Sequence, residues 1–171
     1  MAEKYTITTD FKLGRPVYYI YNNTVCESIV EEIIIYSYMD SNTDEIINDI
    51  KYKVTTFGES VWFDQNDLFN SLENLRIFLS SSNGERWNYE GHVIKTEYLC
   101  GTKVYFMYNN KIHENKTNKL QITISSLKTS KDVVYDIIYM FNINGEDVNI
   151  SSENVYGSKS ELIDSLFSSI G

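Results

Sequence analysis

The sequence predicts a mainly β fold built from two tandem antiparallel units, each closed by a C-terminal helix, and three observations carry that expectation. The chain aligns with itself without a gap at an offset of 87 positions, so that GRPVYYIYNNTVCE, Gly14 to Glu27, falls on GTKVYFMYNNKIHE, Gly101 to Glu114. Within each copy, short apolar runs with strand-like alternation recur between Gly and Asn turn signals. Each copy then ends on a Ser-led segment whose apolar residues follow helical spacing. The match continues downstream, where Asp49, Ile50, Tyr52, Gly58, Glu59, Val61, Ser71, Leu75 and Leu79 meet Asp136, Ile137, Tyr139, Gly145, Glu146, Val148, Ser158, Leu162 and Leu166. Agreement of this length marks duplication of one folding unit. It divides the chain into residues 1–82 and 88–171, with the polar stretch Ser80 to Glu85, SSSNGE, as linker and the copies packed pseudo-symmetrically.

Each unit opens on a short strand, Tyr5 to Thr9 or His92 to Glu97, and a Gly turn. A second strand, Val17 to Tyr21 or Val104 to Tyr108, ends in the pairs Asn22-Asn23 and Asn109-Asn110. Asn tolerates positive φ, so such a pair between apolar runs predicts a tight hairpin. The return strand reads as one long element from Val25 to about Met39. In the second copy it alternates, with Leu120, Ile122 and Ile124 on one side and Gln121, Thr123 and Ser125 on the other. A polar loop at Ser41 to Asp44 leads to a strand from Ile46 to Thr55, and a turn at Gly58 leads to Val61 to Phe63. Ser158-Lys159-Ser160-Glu161 is a capping box that opens a helix from Lys159 to Ser168, with Leu162, Leu166 and Phe167 expected on its buried side. Ser71 to Ser80 repeats it with Leu72, Leu75, Phe78 and Leu79.

The order of these parts resembles the small SH3-like barrels of phage and bacterial accessory proteins, in which a G-x-x-V-Y strand precedes a long bent strand and an aromatic precedes a capped helix. The residues concerned are Gly14, Val17, Tyr18, Phe69 and Ser71, and Gly101, Val104, Tyr105, Tyr156 and Ser158. The resemblance implies two SH3-like barrel or sheet repeats. It implies no activity, because such barrels carry unrelated sites.

Composition narrows the class. A hydrophobic content of 42% and an aromatic content of 14% are globular values, and no apolar run spans a bilayer. MAEKYTITTD lacks the start of a secretory signal, which predicts a cytoplasmic or virion-associated protein. A single Pro and a wealth of Asn, Ile, Tyr and Ser reflect AT-rich codons, the bias of a low-GC bacterium or its phage. Cys26 and Cys100 occupy non-equivalent repeat positions and read as free, mostly buried thiols.

Differences between the copies point to use. From Pro16 to Ile50 there are seven acids and no Lys or Arg, whereas Lys103 to Ile137 holds six lysines and three acids, so the same strands carry −7 and +3. If Ile33 and Ile35 point inward, then Ile34, Tyr36 and Tyr38 point outward, where the second copy has Gln121, Thr123 and Ser125. On the next strand Lys51 and Lys53 give way to Ile138 and Met140. Aligned apolar stripes mark a covered surface. Interdomain contact is the commoner cause, so the copies are expected to bury these stripes against each other; the alternative is a patch used on another molecule.

Reactive constellations are not found. Cys26, His92, Cys100 and His113 lack metal-site spacing, no G-x-S-x-G serves a nucleophile, and Gly14, Gly58, Gly101 and Gly145 stand alone at turns, so neither a metal, a cofactor nor an enzyme is expected. His92 reads as strand packing and His113 as solvated. The pairs Glu31-Glu32 and Asp44-Glu45 cannot share a substrate, because neighbours on a strand face opposite ways. A net charge of −9 disfavours nucleic acid, with a local single-strand site on the lysines of copy two, Tyr105 and Tyr108 as the exception. Trp62 aligns with Asn149 and is specific to copy one, and Trp87 reads as a core or linker anchor. The expectation is a non-enzymatic binding or assembly protein, a phage or mobile-element accessory that meets a protein partner or itself. Glu31, Glu32, Ile34, Tyr36, Tyr38, Trp62, Lys116, Lys119, Ile138 and Met140 are its candidate contacts. The alternative is a small anionic, nucleotide-like ligand held at the seam by Tyr36, Tyr38, Ile138 and Met140, with Lys116 or Lys119 at the rim.

Overall fold

The duplication governs the whole element order. The computed structural model describes residues 5–81, 89–127, 132–168 and 170. Most of the SSSNGE linker, Trp87, Lys128 and Lys131 lie outside the described residues. The first copy supplies β1 (Tyr5–Thr8), β2 (Pro16–Tyr21), β3 (Thr24–Ile29), β4 (Glu32–Met39), β5 (Ile46–Thr56), β6 (Glu59–Asp64) and α1 (Leu72–Ser81). The second supplies β7 (Val93–Thr96), β8 (Lys103–Tyr108), β9 (Lys111–Lys116), β10 (Lys119–Ser126), β11 (Val133–Ile143), β12 (Glu146–Ser151) and α2 (Lys159–Ser168). The protein is mainly β, its sheets are antiparallel, and a helix follows each group of strands.

Local chemistry explains the turns and caps. Asn22 and Asn23 take φ of 50° and 61°, and Asn109 and Asn110 take 53° and 62°, the left-handed pair that a two-residue hairpin loop demands. The Ser158 Oγ accepts the Glu161 N–H at 3.1 Å, and the Ser71 Oγ accepts the Asn74 N–H at 3.1 Å, so both helices are capped by the expected serine. Only Leu75 and Leu162 of the helical apolar residues are fully buried. Leu72, Leu79 and Phe167 are more than half exposed, contrary to the sidedness expected of them; α1 packs on β2 and α2 on β8, each a strand of a two-stranded hairpin.

The return strand is two strands, not one. At Val30 the chain still bonds the first hairpin, through Val30 N–H to Arg15 O at 3.1 Å, but the next residue turns to β5, through Glu31 N–H to Lys53 O at 2.9 Å. Val30 itself is swallowed by the core. Thr117 repeats the switch, bonded to both Gly101 and Thr102, so β8 and β9 likewise form a hairpin separate from β10.

The two copies meet edge to edge. One six-stranded sheet runs in the order β12-β11-β10-β4-β5-β6, and its central joint is the β4–β10 ladder. There Ile35 lies opposite Ile122, its own counterpart in the other copy. In the β1–β7 ladder Ile7 lies opposite Ile94, again its own counterpart. Two such self-pairings place a pseudo-twofold axis through both ladders. The inner face of the large sheet, with Ile33, Ile35, Tyr52, Val54, Leu120, Ile122, Ile124, Tyr139 and Phe141, is fully buried beneath Val17 and Tyr19 of one hairpin and Val104 and Phe106 of the other. A single buried cluster thus draws on both repeats.

A second joint ties the copies at His92, which is buried just ahead of β7. Its backbone exchanges hydrogen bonds with Thr9, its Nε2 accepts the Leu13 N–H at 3.0 Å, and its Nδ1 lies 3.1 Å from the Tyr135 hydroxyl. The approach is so close at the preceding residue that a Cβ on Gly91 would fall 1.7 Å from the Thr9 carbonyl oxygen, which only glycine avoids. Among the described residues, no helix is long and apolar enough to cross a membrane.

Candidate interaction surface

Residues directly opposite in an antiparallel ladder share a face, so the register lays out the outer side of the large sheet. One row runs Asn149, Met140, Lys119, Tyr38, Ile47. The next runs Ser151, Ile138, Gln121, Tyr36, Asp49, and the third Asp136, Thr123, Ile34, Lys51, Asp64. Beyond them, Glu32 lies opposite Lys53, and Lys53 opposite Trp62. Ile34, Tyr36, Tyr38 and Ile47 therefore form one apolar patch on β4 and β5, and Ile138 and Met140 a second on β11, with Lys119, Gln121 and Thr123 of β10 between them. Each is half-buried, whereas the alternate residues Ile33, Ile35 and Ile122 are fully buried.

This arrangement corrects the expectation that the copies bury their stripes against each other. Edge-to-edge pairing sets the two stripes side by side on the same face, because antiparallel partners point the same way from the sheet. The expected seam residues Tyr36 and Tyr38 consequently share a face with Ile138 and Met140 but stand across β10 from them, with Gln121 and Lys119 between.

Eight of the ten residues expected at a contact surface reach this face: Glu32, Ile34, Tyr36, Tyr38, Trp62, Lys119, Ile138 and Met140. Glu31 and Lys116 do not join them. The Glu31 carboxylate turns to the Thr55 hydroxyl, which donates to it at 2.7 Å, and Lys116 stands opposite Lys103 in the separate β8–β9 hairpin. Lys119 is placed 4.5 Å above the Tyr36 ring, a cation over an aromatic face. Glu32 pairs with Lys53 at 3.7 Å and Lys51 with Asp64 at 3.8 Å, which gives the repeat-one side a rim of matched charges. Trp62 is 42% exposed at the edge of the face.

Sequence reading missed Ile47, which extends the first patch beside Tyr38; the signal was the doublet Ile46-Ile47, only one member of which an antiparallel strand can bury. It also missed Phe57, which is 65% exposed, held at φ 49° and stacked near Tyr21, where the other copy has the more permissive Asn144.

No protein-family model matches the chain, and no curated protein or solved structure is detectably similar to it.

The remaining candidate groups have ordinary structural duties. His113 is tied rather than solvated: its Nε2 lies 3.0 Å from the Tyr108 carbonyl oxygen and its ring stacks on Phe106. In the basic copy, Glu114 takes the Tyr105 hydroxyl proton as a hydrogen bond at 2.8 Å and the Lys103 ammonium at 3.0 Å, contacts that hold its carboxyl below the usual carboxylate range. These partners occupy two of the groups a strand of nucleic acid would need. Cys100 is buried with its thiol 3.3 Å from the Ser37 carbonyl oxygen, and burial pushes it toward the neutral form. Among the described residues, no group of three or more His, Cys, Asp or Glu is placed to hold a metal ion.

Proposed function

We propose that this protein is a non-enzymatic binding or assembly protein that presents the outer face of its six-stranded sheet to a macromolecular partner. The observation that carries the reading is the patch Ile34, Tyr36, Tyr38 and Ile47, continuous across β4 and β5 and half-buried on the side away from the core, with Ile138 and Met140 flanking it beyond β10. Contiguous apolar surface rimmed by charge is the usual mark of a protein contact. The SH3-like reading of each repeat is supported by a 3-10 turn after the last strand, at Gln65–Asp67 and Ser152–Asn154, and by the return of the chain to the first hairpin at the Tyr18–Phe69 and Tyr105–Tyr156 bridges. A role as a phage or mobile-element accessory, either a virion component or an inhibitor of a host system, fits the codon bias. Cytoplasmic or virion-associated placement follows from that role.

The test makes Tyr36→Glu together with Ile138→Glu in one variant and Glu32→Lys in a second, in the full chain. Both variants are expected to melt within a few degrees of the parent, since the substituted side chains are outside the core. The first is expected to lose a partner captured from native lysate, or to lower the mass measured by light scattering if the partner is another copy. Unchanged capture and unchanged mass for both variants would overturn the reading.

Lys119 over Tyr36 favours one second reading, a small anionic ligand at the same seam. A thermal shift with nucleotides or cyclic dinucleotides supports it, because a ligand that binds only the folded state must raise stability.

A further inference from the structure

The largest cavity described lies away from the outer face. It is a solvent-open hollow of about 450 Å³ between β7, β11 and the segment leading into α2, a volume within the range of small-ligand sites. Its accessible apolar and aromatic surface comes from the half-buried Tyr156 and Ile137, while Tyr98, Tyr139 and Val155, which also line it, are buried. Lys95, Glu97, Glu153 and Glu161 stand at its opening, three carboxylates against one ammonium.

The duplicated scaffold supplies an internal control for this cavity. In repeat one, Gln65 spans the position over Tyr52: its Oε1 accepts the Tyr52 hydroxyl and also the Asp10 N–H at 2.9 Å, while that N–H lies 3.0 Å from the same hydroxyl, and the hollow left beside Gln65, about 350 Å³, is lined by Ile50 and Asn66. The counterpart of Gln65 is Ser152, whose side chain is two atoms shorter and makes no such bridge. Tyr139, the counterpart of Tyr52, closes instead on the backbone of Tyr98, accepting its N–H at 3.2 Å. The charges are new as well. Where repeat two has Lys95, Glu153 and Glu161, repeat one has Thr8, Asn66 and Asn74; only Glu97 has an acidic counterpart, Asp10. Glu153 and Glu161 thus add carboxylates on this side of repeat two, the copy whose strands otherwise carry the lysines.

We infer that this cavity binds an organic cation, an alkylammonium or guanidinium group, with its charge at Glu97, Glu153 and Glu161 and its carbon chain or face against the half-buried Tyr156 and Ile137. Ammonium and guanidinium groups gain from an aromatic face and from a carboxylate partner together, and both line this hollow. Glu97 and Glu161 already act on the floor, since their charges add to burial in pushing the Tyr98 hydroxyl above its ordinary range. The inference is independent of the outer-face reading, and either survives failure of the other.

Two sources present this chemistry: a free amine, and a Lys or Arg side chain on a protein. The experiment titrates the full chain, by NMR, with agmatine in one arm and with capped peptides Gly-Gly-Lys-Gly-Gly and Gly-Gly-Arg-Gly-Gly in the other, at low salt. Perturbation of the Tyr156 ring signals is expected in at least one arm. The agmatine arm alone assigns a free amine, and a peptide response at least as strong assigns a docked side chain. Ser152→Gln rebuilds the repeat-one bridge and is expected to weaken binding at least tenfold while leaving the melting temperature at or above the parent's. Glu161→Gln, at an exposed position, is expected to weaken it about three- to tenfold. Absence of ring-signal changes in both arms, or changes indifferent to both substitutions, overturns the inference.

Discussion

His92 shows how much a single side chain can join. The Leu13 N–H donates to Nε2, so Nε2 must keep its lone pair and the ring proton belongs on Nδ1, facing the Tyr135 oxygen. A second proton would set two N–H groups against each other. Burial and, behind it, the charge of Lys12 lower the pKa from its ordinary 6.5, so the fold favours the neutral ring. Stability from this group is therefore complete above about pH 6.5, the unfolded value, and is withdrawn as pH falls from there toward the folded value. Urea midpoints of the parent are expected to fall more steeply between pH 7.5 and 5 than those of His92→Gln, narrowing the gap between them. Parallel profiles would exclude a neutral histidine at this joint.

At the scale of elements, the central ladder should dominate. Ile35 and Ile122 are both fully buried and face each other across β4 and β10. Truncation of either to Ala is expected to cost about 2–5 kcal/mol in urea unfolding. The double variant should depart from the sum, because the two side chains share one cavity. Ile34→Ala, one residue away on the outer face, should cost well under that, since it is only half-buried. Equal losses at Ile34 and Ile35 would contradict the assignment of inner and outer faces. The alternation that separates them was legible in the sequence, as were the Asn hairpins and the serine caps, because each depends on a few neighbouring residues. The break at Val30 was not, since it is made by hydrogen bonds to Arg15 and Lys53 that no local pattern announces. Nor was the side-by-side placement of the stripes: β4 and β10 each look like half-buried strands, and nothing within either names the other as its neighbour. The cavity escaped for a related reason, as it depends on what Gln65 reaches in three dimensions and Ser152 does not.

For the whole molecule, the uninterrupted sheet and the common core predict joint unfolding. Calorimetry is expected to give one transition whose van't Hoff and calorimetric enthalpies agree, the signature of a single cooperative unit. Two resolved transitions would show that each repeat holds its own structure despite the shared ladder. The cooperative outcome would also mean that damage at one end, for example at β6, is felt at β12, five ladders away.

The self-pairings of Ile7 with Ile94 and of Ile35 with Ile122 have a consequence for how such a surface can evolve. Two identical polypeptides meeting about that axis would form an isologous homodimer, in which every exterior substitution appears twice. Fusion into one polypeptide frees each half from its twin while the interior stays mirrored. Acid can then gather on one side and lysine on the other, and Trp62 can stand where its sibling position keeps Asn149.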